Sequence, residues 1–187
     1  MTRPTGDVAE EVVRRTLASA PTFGSGRLVC VDGPAGSGKT TLAAAIRRAI
    51  PRDVTARVVH LDDLYPGWGG LRAGVEHVGT HVVEPLSRGS AGRYQRYDWE
   101  RMVPGDWVDV PAVDVLVLEG VGSGALNVAP LVTTLVWVEA DEDVRLARGV
   151  ARDGVESREE LVKWMADEAP YLTEQRTKDR ADLVVTT

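Results

Sequence analysis

The sequence predicts an α/β fold in which a five-stranded parallel sheet is covered by helices on both faces. Three observations lead there. Val113–Leu118 and Thr133–Val138 are continuous apolar runs, the pattern of strands buried on both faces rather than the alternation of a half-exposed strand. Five strand candidates are separated by helical segments, and such alternation builds parallel sheets through crossover connections. The 187 residues, 43% hydrophobic and 27% charged, suit one globular domain and leave no room for a second catalytic one. Residues 1–187 are therefore read as a single domain, with an N-terminal helix and loop over 1–26 and a helical region over 141–172.

Each element has its own signal. Val8, Val12, Val13 and Leu17 recur among charges and predict an amphipathic helix over 7–19, leading into a Pro21–Gly26 loop. Arg27–Val31 reads as a short buried strand, with Cys30 inside it as a small hydrophobe. Glycines follow, then a helix over Thr40–Ile50 that Pro51 stops. Val54–Leu61 alternates toward a second strand, and a glycine-rich loop spans Gly67–Gly70. Leu71, Val75, Val78, Val82 and Leu86 recur every three or four residues, the stripe of a core-facing helix. Two further helices open at Asp141 and Ser157, where Ser157 and Glu160 match a capping box, and Leu183–Val185 is the last strand. His77 and His81 stand at i and i+4 and could share a zinc ion, but no third ligand accompanies them.

Charge and terminus narrow the function classes. A net charge of −6 argues against a general nucleic-acid binder, which relies on clustered Lys and Arg. No apolar run approaches the roughly 20 residues of a membrane span. Arg3 is followed by Asp7, Glu10 and Glu11 with no apolar stretch of a secretory signal, so a cytoplasmic location is expected. A single cysteine cannot form an internal disulfide, and nothing in the sequence sets an oligomeric state.

Gly33, Pro34, Ala35, Gly36, Ser37, Gly38, Lys39 and Thr40 form GPAGSGKT, a full G-x-x-x-x-G-K-[ST] match between a predicted strand and a predicted helix. Glycines let successive N–H groups point into one concavity, and the helix N-terminus adds positive potential, so the loop suits phosphate oxygens. Lys39 is expected to neutralise the β and γ phosphates of ATP, Thr40 to offer its hydroxyl to Mg²⁺, and Thr41 to contact the α phosphate. The predicted architecture is thus a three-layer P-loop NTPase fold.

Magnesium beside such a loop needs a carboxylate at a strand end, and Asp114 and Glu119 flank Val115–Leu118 about 16 Å apart. Ligands in open α/β sheets lie outside the carboxyl ends of the strands, which selects Glu119 over Asp114. Asp62 and Asp63 in HLDDLY emerge at that same edge. Asp62 is the expected general base for an acceptor hydroxyl; Asp63 is either a metal ligand or a helix-start charge. Arg145, Arg148 and Arg152 share one helix face and could close on the transferred phosphate, with Arg158 a further candidate; alternatively that face is solvated and paired with Glu142 or Asp153. Tyr65, Trp68, Tyr94, Tyr97 and Trp99 either stack on an acceptor or pack.

These motifs resemble the uridine kinase-like group of P-loop kinases. GPAGSGKT is similar to that family's phosphate loop, and Asp62-Asp63-Leu64-Tyr65 to its D-x-[FY]-Y element, whose first Asp serves as base. Tyr97-Asp98-Trp99 resembles its acceptor-contacting Y-D-F element, and VDVLVLEG over 113–120 its strand ending in E-G. RLARGVARD over 145–153 resembles the arginine-rich lid, and TKDRADLVV over 177–185 the closing strand. The likeness spans most of residues 27–185 and implies a lid built on Arg145, Arg148 and Arg152, acceptor contacts from Asp62, Tyr65, Tyr97, Trp99 and Arg148, and use of ATP with Mg²⁺. The chain departs from the pattern in lacking an N-Y-D-H-P-type element before Tyr97, where the family places a carboxylate on the nucleoside ribose, and in carrying Gly149 at a usual arginine. The sequence given also stops at Thr187, short of the loop that often touches adenine, so loose selectivity between ATP and GTP is expected.

The expected activity is phosphorylation of a hydroxyl on a small molecule. The competing class is a P-loop GTPase or ATPase without such an acceptor. A GTPase would carry N-K-x-D, and Thr177-Lys178-Asp179-Arg180 lacks its final Asp. A scaffold that has lost chemistry is the third alternative, against which stand intact Lys39, Thr40, Asp62 and Glu119.

Overall fold

The computed structural model describes residues 3–187. Its central sheet contains β1 (Arg27–Asp32), β2 (Ala56–His60), β5 (Val115–Glu119), β6 (Thr134–Glu139) and β7 (Leu183–Thr186), all parallel, in the order β2-β5-β1-β6-β7. These are the five strands that the apolar runs predict. β2 begins two residues after the predicted Val54, because the Val54 N–H closes a turn onto the Pro51 carbonyl.

Residue alternation along the strands sorts two cores. Val29, Val31, Val115, Val117, Val136 and Val138 face α1 (Thr5–Ala18) and α2 (Lys39–Ala49). Leu28, Cys30, Leu116, Leu118, Leu135 and Trp137 face the opposite layer. That layer holds α3 (Leu71–Val78), α4 (Glu84–Ser87), α5 (Glu142–Asp153), α6 (Arg158–Gln175) and α7 (Thr177–Arg180). Each fully buried valine contributes about 1.5 to 3 kcal/mol, so the strand interiors dominate stability, and burial raises the Cys30 thiol well above its ordinary range.

Two local expectations are corrected. The stripe from Leu71 to Leu86 is buried throughout, but a π-helical turn over Gly79–Val83 interrupts it. A side chain at Gly79 would meet the Asn127 amide at 2.6 Å. The His77 and His81 rings lie 4.4 Å apart, tilted by 43°, and among the described residues no third ligand joins them. The capping box does not form: the Ser157 hydroxyl donates instead to the Asp153 carbonyl at 3.0 Å, because Val155–Ser157 is a 3₁₀ turn that draws Ser157 back onto α5.

One element lies outside the sequence reading. β3 (Gly92–Asp98) and β4 (Val103–Val110) form an antiparallel hairpin apart from the main sheet. Pro104 and Gly105 argue against a strand, and a register shift between Gln95 and Tyr97 breaks the two-residue alternation, so local pattern hides it.

Candidate active site

β1 delivers the phosphate loop between its end and the start of α2. Gly36 has φ 76°, and a Cβ there would lie 2.4 Å from the Arg145 carbonyl oxygen; Gly33 has φ 140°, and its Cβ would come within 2.0 Å of the Val138 carbonyl. Only glycine fits both. The turn is fixed from below by Asp32, fully buried, whose carboxylate accepts N–H bonds from Gly33 (2.7 Å), Gly122 (2.7 Å) and Gly124 (2.9 Å). Burial raises the Asp32 carboxyl and the three amides oppose that rise. The strand thus runs one residue beyond the expected Val31, and the acid immediately before GPAGSGKT is the sequence signal of this clamp.

Lys39 donates to the Pro34 carbonyl at 2.9 Å, and the Thr40 hydroxyl donates to Glu119 at 3.1 Å. Parallel register puts Glu119 beside Val31 of β1 on one side and His60 of β2 on the other. Its second oxygen lies 2.5 Å from His60 Nδ1. The hydrogen bond to Glu119 raises the His60 imidazole above its ordinary value, against partial burial. The sequence reading gave His60 no role. Asp114, at the other end of β5, caps Thr55 through its N–H (2.8 Å) and hydroxyl (2.7 Å).

Asp62 lies in the 3₁₀ turn Leu61–Asp63 directly after β2. Its carboxylate is 3.9 Å from Arg152, and 56% of the side chain meets solvent within the cleft. Though open to solvent on one side, the carboxyl is crowded by the cleft walls, and that loss of hydration and then the Glu119 charge raise it above the usual range, against Lys39, Arg152 and His60. Asp63 lines the same cleft and is held from the hairpin: the Tyr94 hydroxyl donates to it at 3.2 Å and Arg96 lies 3.3 Å away.

The arginines divide. Arg148 donates to the Gly36 carbonyl (3.3 Å) and the Thr187 hydroxyl (2.8 Å), over the phosphate loop. Arg152 binds Asp153 through two bonds of 2.6 and 2.7 Å while facing Asp62. Arg145 corrects the three-arginine expectation. It is 11% exposed and paired at 2.9 Å with Glu168, itself 1% exposed. Glu168 also accepts the Ala35 N–H (2.9 Å) and the Trp164 indole N–H (3.0 Å), tying α6 to the phosphate loop. Arg158 is exposed at the start of α6.

A cleft of about 970 Å³ gathers these groups. From the loop, Ala35, Gly36, Gly38, Lys39, Thr40 and Thr41 line it, together with Asp62, Glu119, Arg148 and Arg152. Gly33, Pro34 and Ser37 lie behind, with Ser37 fully buried. At the far end Trp68 packs against Trp99 at 5.3 Å and against Trp164 at 6.3 Å. The Trp99 indole N–H donates to the Asp62 carbonyl at 2.8 Å, anchoring the aromatic wall beside that carboxylate. Two aromatic expectations change: Tyr65 is 1% exposed, its hydroxyl given to the Val121 carbonyl at 2.7 Å, and Tyr97 packs behind Trp99 at 5.2 Å.

No protein-family model matches the chain. The uridine kinase of Halobacterium salinarum (strain ATCC 700922 / JCM 11081 / NRC-1) is 30% identical over 88% of this chain and 80% of its own length. The chain belongs to the uridine kinase-like family of P-loop kinases. Two solved structures share the fold. A possible uridine kinase from Bacillus stearothermophilus superposes with a TM-score of 0.66 at 21% identity, covering 96% of this chain and 97% of that one. A candidate fructose transport system kinase from Silicibacter sp. TM1040 does so with a TM-score of 0.59 at 19% identity, over 97% and 98%. As in its sequence motifs, this uridine kinase-like chain brings phosphate loop, strand-end glutamate and post-strand aspartate to one sheet edge. Among the described residues no helix is long and apolar enough to cross a membrane.

Proposed function

We propose that the protein transfers the γ-phosphoryl group of ATP, with Mg²⁺, to a hydroxyl of a small molecule. The observation that carries this reading is the convergence of Lys39, Thr40, Glu119 and Asp62 on one cleft. The Thr40 hydroxyl and Glu119 carboxylate, 3.1 Å apart, are hard oxygen donors of the kind Mg²⁺ prefers. Mg²⁺ bound there would offset charge on the β and γ phosphates. Lys39 and the loop amides hold the triphosphate, and Arg148 and Arg152 supply fixed positive charge where the transferred group passes.

Asp62 takes the acceptor's proton. Its raised carboxyl is a stronger base than an ordinary aspartate, and it stands open in the cleft. Trp68 and Trp99 offer the acceptor a flat apolar wall beside that base. We place the activity in the cytoplasm, with no nucleic-acid partner at a net charge of −6.

The test is ADP release from Mg·ATP against a panel of hydroxyl-bearing metabolites, with uridine, named in the relative, tried first. Acceptor-dependent release with a phosphorylated product supports the reading. Equal release with and without every acceptor would mean an ATPase.

A further inference from the structure

We infer that His60 is a positioning residue that holds Glu119 toward Thr40 and thereby sets how tightly the site binds magnesium; this rests on the phosphotransferase reading above. His60 and Glu119 are paired neighbours at the carboxyl ends of β2 and β5, and Glu119 is also the register partner of Val31 on the strand that feeds the phosphate loop. Glu119 therefore stands between the histidine and the loop. Its two oxygens are divided accordingly, one taking the Thr40 hydroxyl at 3.1 Å and the other lying 2.5 Å from His60 Nδ1.

Burial makes that division matter. The Glu119 side chain is 5% exposed, whereas His60 is 41% exposed on the flank of the cleft. A buried carboxylate oxygen left without a donor loses its hydration and gains nothing in return. Among the described residues the two side chains that hydrogen-bond Glu119 are Thr40 and His60. A ligating carboxylate held by an outer hydrogen bond presents its free lone pairs in one direction, and loss of such outer partners typically costs about 10- to 100-fold in metal affinity. Neighbouring strands lie about 4.8 Å apart, so a side chain must reach across that gap to hold Glu119. Imidazole does so through Nδ1, and the Asn amide nitrogen can occupy nearly the same place. Alanine cannot reach.

The experiment titrates Mg²⁺ calorimetrically into the protein saturated with a non-hydrolysable ATP analogue, for wild type, His60→Ala and His60→Asn. Circular dichroism checks that each variant is folded. His60→Ala should weaken magnesium binding by about 10- to 100-fold, with analogue binding in EDTA unchanged, and His60→Asn should return it to within a few-fold of wild type. Turnover in His60→Ala should recover at high Mg²⁺ with the acceptor KM unmoved. Wild-type affinity in His60→Ala, or His60→Asn as weak as His60→Ala, overturns the assignment. Failure of the wild type to bind the analogue with magnesium would instead overturn the phosphotransferase reading, and this inference with it.

Discussion

Glu168→Ala should be among the most damaging single changes outside the strands. Its carboxylate is buried against Arg145 at 2.9 Å and also accepts the Ala35 amide and the Trp164 indole. Burial still pushes the Glu168 carboxyl up, with Ala35, Lys39, Arg145 and Trp164 only opposing the rise, so the favourable contacts do not fully offset desolvation. The intact pair is thus worth little net, while one orphaned member is costly. Removing one partner of a buried pair costs about 3 to 5 kcal/mol. At roughly 2 to 4 °C per kcal/mol for a chain of this size, the melting temperature should fall by about 6 to 20 °C. Arg145→Met with Glu168→Met removes both charges and should cost less than Glu168→Ala alone. Thermal melts followed by circular dichroism, paired with ATP titrations, read both effects. A shift below about 2 °C for Glu168→Ala, or a double variant less stable than the single one, would refute the reasoning.

Other expectations follow from the cleft. Asp62→Asn should lower turnover by about 10² to 10⁴ with ATP affinity nearly unchanged; a large loss of ATP binding would remove Asp62 from the role of base. Because the Asp62 carboxyl is raised, the wild-type rate should fall on acidification at a pH above that of an ordinary aspartate. The stability sign is opposite: folding disfavours ionised Asp62, but with 56% of the side chain in water the penalty is screened, so Asp62→Asn should melt only slightly higher at neutral pH and lose that advantage in acid. Lys39→Ala should weaken both triphosphate binding and turnover, and survival of both in nucleotide titrations and rate assays would dismiss the phosphate-loop assignment. Arg148→Ala should cost more in kcat than in ATP affinity; equal losses would put Arg148 outside phosphoryl transfer.

How much could be read from residues alone depended on whether the deciding contact was local. The main sheet was legible because doubly covered strands leave unbroken apolar runs, and the loop because Gly33 and Gly36 occupy positions that no side chain fits. Strand polarity alone separated Glu119 from Asp114. Arg145 was not legible: helical spacing puts it on a face with Arg148 and Arg152, but the partner that buries it, Glu168, is 23 residues away on another helix. For Tyr65 residues alone left acceptor contact and packing open, since its burial depends on Val121 and Trp164 rather than on neighbours in sequence. The hairpin escaped because proline, glycine and a bulge erase its alternation, and His60 because its meaning comes from a strand partner 59 residues distant.

The hairpin built from β3 and β4 forms a sheet of its own, and its tie to the turn after β2 runs through Tyr94, Arg96 and Trp99. Tyr94 and Val110 root it in the main core, so substitutions confined to its exposed outer residues can reshape the rim of the cleft while that root stays in place.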